Sequence, residues 1–136
     1  MSENLSELLK IGFEHIGDFF VKDGKLNFAL SKYKTQTGSY AFVVDQNVRY
    51  IGVTKNTLYT RMNGYKNPGP SQQTNKRINP KIKEAGRVEI YFFPESEVLE
   101  FNTIIQRKDF KKEIPMDMSI FERFLISIFK PEWNRE

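Results

Sequence analysis

Apolar residues recur three and four apart over positions 3–16, at Leu5, Leu8, Leu9, Phe13 and Ile16, with Gly12 on the same arc. That spacing predicts an N-terminal helix, which Gly17 would end. Asp23-Gly24 then reads as a turn into a short strand over 26–30, where Leu26, Phe28 and Leu30 alternate with Asn27 and Ala29. Positions 32–37 are polar and read as a loop. Two alternating runs follow, 38–44 and 48–53, joined by Asp45-Gln46-Asn47, and together they predict an antiparallel hairpin. Tyr40, Phe42 and Val44 would share one face of its first strand. Tyr50 would share a face of the second with Val48 and Gly52.

Thr54 or Asn56 can cap a helix over 57–66, with Leu58, Arg61, Met62 and Tyr65 along one side. Asn67-Pro68-Gly69-Pro70 ends it. A second helix is expected over 74–85, stopped by Gly86. Pro80 either kinks that helix or stands in the first turn of a fresh one capped by Asn79. Positions 87–93 read as a strand with Val88, Ile90 and Phe92 on one face, and 94–117 have no clear period. A last helix over 120–130 meets Pro131. The order predicts an α/β (α+β) fold, a small three-stranded antiparallel sheet flanked by helices.

The chain has 136 residues, 39% hydrophobic and 28% charged, which suits one folded domain with a single core. Twelve Phe and six Tyr can supply much of that core. There is no Cys, so disulfides, thiolate zinc sites and cysteine nucleophiles are excluded. With no basic-then-apolar leader and no membrane-length apolar run, the expectation is a cytoplasmic protein with no membrane partner. Net charge is +4, but 48–87 concentrates nine Lys or Arg against one acid, Glu84. A polyanion, most commonly nucleic acid, suits such a segment; the plainer alternative is a solvated basic surface.

Gly38-Ser39-Tyr40, then Tyr50-Ile51-Gly52 ten residues on, Thr54, and Arg61 nine past Gly52 resemble the motifs of the GIY-YIG nucleases. Downstream, Glu122 and Asn134 stand where that family carries a helix-borne metal-binding Glu and a late Asn. The resemblance covers about 38–134, with 1–37 as an N-terminal helix/strand extension to a nuclease domain over 38–136. The polar stretch 71–79 and the close Pro131-Glu132-Trp133-Asn134 look most like the compact phage endonuclease II type and the restriction enzymes of this class. Ser39 replaces the middle Ile of the first triplet. Tyr65 stands four past Arg61, where many members have His and the restriction type has Tyr.

The resemblance implies a Mg²⁺- or Mn²⁺-dependent endonuclease acting on DNA, most simply double-stranded, with one cation per site. Tyr40, Tyr50, Arg61, Tyr65 and Glu122 would be catalytic. Gly52, Lys55, Asn75, Lys76, Arg77 and Asn134 would bind substrate, and 67–79 would face the target. One such centre cuts one strand, so a homodimer or homotetramer is expected, with 1–37 available for oligomer or DNA contacts.

Each role has a plainer alternative in the residues themselves. Ser119-x-x-Glu122 is also a capping box, although Glu122 falls on the apolar arc of Leu125, Ile126 and Phe129, where a carboxylate needs a partner. Arg61 could be a surface ion pair and the tyrosines packing residues. His15 is expected to do no catalysis. A binding module that has lost chemistry, or a nuclease acting on RNA, would carry much the same pattern.

Overall fold

The computed structural model describes residues 4–134, except for the side chains of 102–105, 114 and 115. In chain order the elements are α1 (Leu5–Ile11), β1 (Glu14–Lys22), β2 (Lys25–Leu30), β3 (Gly38–Val44), β4 (Asn47–Thr54), α2 (Leu58–Lys66) and α3 (Gln73–Ala85). Then come β5 (Arg87–Pro94), α4 (Glu95–Val98), β6 (Asn102–Arg107), β7 (Phe110–Pro115), α5 (Met118–Phe129) and a 3-10 turn (Glu132–Asn134).

The principal sheet has five strands in the order β2-β1-β5-β3-β4, with every neighbouring pair antiparallel. The three-stranded expectation is therefore corrected: β1 and β2 add to β5, β3 and β4. The long N-terminal helix is corrected too. Gly12, at φ 122°, closes α1 after Ile11, and the chain enters β1 two residues later. A register shift between His15 and Gly17 explains the misleading pattern. The bulge brings Ile16 and Phe19, three apart, onto the same side of the sheet, which imitates helical spacing.

Another shift, between Phe42 and Val43, corrects the face assignment in β4. Phe42 pairs with Tyr50 but Val43 pairs with Val48, so Val48 points away from Tyr50. Tyr40, Phe42 and Val44 do share a face, as do Val88, Ile90 and Phe92.

Helices cover both sides. On one, α2 and α3 close over Phe19, Tyr40, Phe42, Ile90 and Phe92, and Trp133 of the 3-10 turn joins them. On the other, α1, α4 and α5 cover Ala41, Val43, Ile51 and Phe93 with Leu8, Val98, Phe121 and Leu125. Each layer removes apolar area from water at about 25 cal/mol per Å². Pro80 lies inside the single helix α3, and Gly86 ends it. Thr57, not Thr54 or Asn56, caps α2, its hydroxyl accepting from the Thr60 amide at 3.2 Å. The unassigned stretch 94–117 holds α4 and a separate two-stranded sheet, β6 with β7.

Candidate active site

The site begins where β3 and β4 run side by side. Tyr40 sits opposite Gly52 in the ladder, and its ring lies across that glycine. A Cβ at Gly52 would stand 2.5 Å from the Tyr40 hydroxyl, so the last residue of Tyr50-Ile51-Gly52 must lack a side chain. On the other side of β3, Ser39 donates its hydroxyl to the Gly52 carbonyl at 3.1 Å. The unusual middle residue of the first triplet is thus satisfied.

From α2, Arg61 and Tyr65 reach down, one turn apart, onto the same spot. Arg61 donates from Nε to the Tyr40 hydroxyl at 3.0 Å and from Nη2 to the Tyr65 hydroxyl at 2.8 Å. Its Nη1 donates to Asn75 Oδ1 at 2.6 Å, and the Tyr40 and Tyr65 hydroxyls share a hydrogen bond of 2.6 Å. The guanidinium also lies 4.5 Å from the Tyr65 ring centre. A planar fork suits this work; a lysine could supply the charge but not three fixed directions.

Both hydroxyls are buried. Burial pushes the Tyr40 hydroxyl far above the ordinary tyrosine range, while the Arg61 guanidinium draws it partly back. Tyr65 is likewise pushed well up by burial, with Tyr40 and Tyr50 adding to the rise and Arg61 opposing it. At neutral pH both are phenols, and Arg61 keeps its charge beside them. Tyr50 completes the aromatic wall, its ring 6.3 Å from Tyr40 and 6.3 Å from Tyr65.

Glu122 comes from α5, on the other side of the sheet. Asp117 caps that helix, accepting from the Ile120 amide at 2.8 Å, so the Ser119–Glu122 capping box does not form. The Glu122 carboxylate has no hydrogen bond or ion pair with any described residue. Burial pushes it above its ordinary range, and Arg61, within electrostatic reach, pulls it partway down. It lines a groove of about 660 Å³ with Thr54, Lys55, Glu95, Asp117 and Ser119. A half-buried carboxylate beside open volume offers hard oxygen donors and leaves room for water. That chemistry fits a hydrated divalent cation.

The remaining nominated residues fall in different places. Lys55 stands in the groove with Glu122. Lys76 is exposed, its ammonium donating to the Pro70 carbonyl at 3.2 Å. Arg77 donates to the Trp133 carbonyl at 2.7 Å, and so grips the end of the chain. Asn134 bonds Ile51 in both directions, at 2.9 Å each way, as a substitute strand along the outer edge of β4. Asn75 is buried and holds Arg61 while donating to Gln72 Oε1 at 3.0 Å. Nothing in the polar run 71–77 marked Asn75 as buried, because one Asn among many carries no period. His15 lies in β1, where it, Asp18 and Glu89 bring ligand-type atoms within 4.8 Å of one another. Asp18 there already meets His15 at 3.2 Å and Arg87 at 3.4 Å, and Glu89 accepts from Tyr91 at 3.4 Å.

No protein-family model matches the chain, and no curated protein matches it. Solved structures do. A mutant of bacteriophage T4 EndoII superposes with a TM-score of 0.65 at 20% identity, over 98% of this chain and 99% of that one. The restriction endonuclease HPY188I, solved with product DNA, superposes with a TM-score of 0.57 at 16% identity, over 92% of this chain and 77% of that one. Over nearly its whole length, then, this chain has the fold of phage T4 endonuclease II, a GIY-YIG nuclease, and of a restriction endonuclease.

Proposed function

We propose that this protein is a divalent-cation-dependent endonuclease that hydrolyses phosphodiester bonds in DNA. The observation that carries the reading is the Arg61 fork: one guanidinium bonded to two buried tyrosine hydroxyls, with the Glu122 carboxylate, which no described residue bonds, within its field.

Phosphodiester hydrolysis needs charge neutralised at the phosphoryl oxygens, a proton taken from water, and stabilisation of the leaving oxygen. Arg61 answers the first need, since it also faces a shallow hollow with Gln72, Gln73, Thr74 and Asn75 that a phosphate can enter. Tyr40 acts as general base, a contribution of about 10²–10⁴-fold. Its raised hydroxyl makes that role more effective as the medium becomes alkaline. Tyr65 and Tyr50 hold Tyr40 in place and orient the water. Glu122 holds the cation, Mg²⁺ or Mn²⁺, which when bound supplies Lewis-acid charge at the phosphoryl and leaving oxygens. Lys55 and Lys76 meet the substrate backbone, and Gly52 gives Tyr40 its space.

Double-strand cleavage calls for two such centres, so we read the active form as a cytoplasmic homodimer or homotetramer, with 1–37 contributing to the contacts. Light scattering tests this, and a strict monomer that makes double-strand breaks in single encounters would remove it.

Supercoiled plasmid with Mg²⁺, with and without chelator, tests the central claim. The parent is expected to nick only without chelator, and Arg61→Ala and Glu122→Ala to leave plasmid intact. If all three bind DNA equally and none nicks it, the protein is a binding module. Parallel RNA substrates establish which nucleic acid is cut.

A further inference from the structure

We infer that the β6–β7 hairpin is an arm that grips duplex DNA beside the active-site groove; the inference rests on the nuclease reading and extends it to a surface the sequence motifs do not touch. The hairpin is closed at its base by the Met116 amide on the Phe101 carbonyl, at 3.1 Å. Phe101 anchors it, with its ring 5.4 Å from Phe93 and 5.4 Å from Phe121. Beyond that base, among the described residues, β6 and β7 pair with each other and make no extensive contact with any other element. Six-residue strands at about 3.4 Å per residue reach about 20 Å. Isolated two-stranded ribbons are marginal in water, so a projecting one is best accounted for by what it holds.

What it presents is specific. Residues 106–113 are all exposed. They carry Arg107, Lys108, Lys111 and Lys112 against two acids, and the four cations form no ion pair among the described residues. Phe110, 58% exposed, stands at the tip opposite Arg107. Cations for phosphates with an apolar ring for a groove wall or base step match duplex DNA. A two-stranded ribbon also fits the major groove. A second copy of the tip would meet like charges. Position agrees: Leu99, just before the hairpin, and Asp117, Met118 and Ser119, just after it, line the same groove as Glu122.

The test is fluorescence anisotropy with a labelled duplex in chelator, across a salt series, on the full chain. The quadruple variant R107S/K108S/K111S/K112S is expected to bind at least about tenfold more weakly, with the log–log salt slope reduced by about two to three. Phe110→Ala is expected to weaken binding severalfold and leave the slope as in the parent. Thermal melts of both are expected to match the parent, since the altered side chains are exposed. If the parent nicks plasmid but the quadruple variant keeps its affinity and slope, the arm is overturned and the nuclease reading stands. A variant with unchanged DNA binding and a lower oligomer mass would make the partner a second copy. A parent that neither binds nor nicks removes both readings.

Discussion

The Arg61 cluster and the Glu122 groove lie within electrostatic reach of each other and are built on opposite plans. In the first, two buried hydroxyls, a part-buried guanidinium and a buried amide bond one another. In the second, a half-buried carboxylate has no bonding partner among the described residues and faces open volume. A satisfied buried network is rigid and contributes to stability. An unanswered carboxylate costs stability and stays ready for a ligand. On the proposed function, the chain preorganises the Arg61 half of the site and leaves the Glu122 half for substrate and cation to complete.

Arg61→Ala breaks the comparison from the built side and has the largest expected effect. Two buried hydroxyls and Asn75 lose their donor, so stability falls by about 1–3 kcal/mol. Nicking falls at least about 10³-fold. A denaturant melt and a plasmid time course measure the two, and Arg61→Lys restores neither.

Glu122→Gln should also abolish nicking, but with the opposite effect on folding. The folded chain holds the Glu122 proton more tightly than the unfolded chain does, so ionisation opposes folding. The variant is therefore more stable than the parent at neutral pH, and that gain disappears below about pH 4, where both states are protonated. A variant that melts earlier at every pH would show Glu122 to be a structural partner, and the contrast between the two halves would collapse.

Gly52→Ala sharpens the comparison at the backbone. The new methyl meets the Tyr40 hydroxyl and ring, so Tyr40 must move, at a cost of about 1–3 kcal/mol. The kcat is expected to fall while cation binding, followed by titration, stays near parental.

The smallest effect is expected in the parent's own pH profile. A base whose proton is held by burial is competent in proportion to its ionised fraction. The rate should climb from neutral into alkaline solution, about tenfold per unit, with no plateau near neutrality. A flat profile there would take the proton transfer away from Tyr40.

The hairpin β3–β4, the helices α2 and α3 and the strand β5 were legible because turn and stop residues bound each of them, although the shift at Phe42 hid the face of Val48 and Pro80 left α3 open to two readings. The two tyrosine triplets and Arg61 were legible as a motif, and their convergence follows from hairpin register and one helical turn. β1 was not legible, because the bulge at Ile16 broke its alternation and mimicked a helix. Nor was the hairpin 102–115, where charged residues crowd positions 107–113 and leave no clean alternation to read. Asn75 was legible only as a candidate substrate contact, and Asn134 only as the late Asn of the motif. Their work, holding Arg61 and edging β4, joins parts of the chain far apart in sequence.

By itself, the order of residues determined the β3–β4 hairpin, α2, α3 and β5, the shared face of Tyr40 with Phe42, and the helical stagger of Arg61 and Tyr65, since each depends only on near neighbours and a fixed backbone period. Only the tertiary structure decided that the tyrosine hydroxyls are buried and hold their protons, and that Glu122 brings its charge round from the opposite side of the sheet. Proton affinity is set by the surroundings of a group in space, and those surroundings come from strands and helices that the sequence lists far apart.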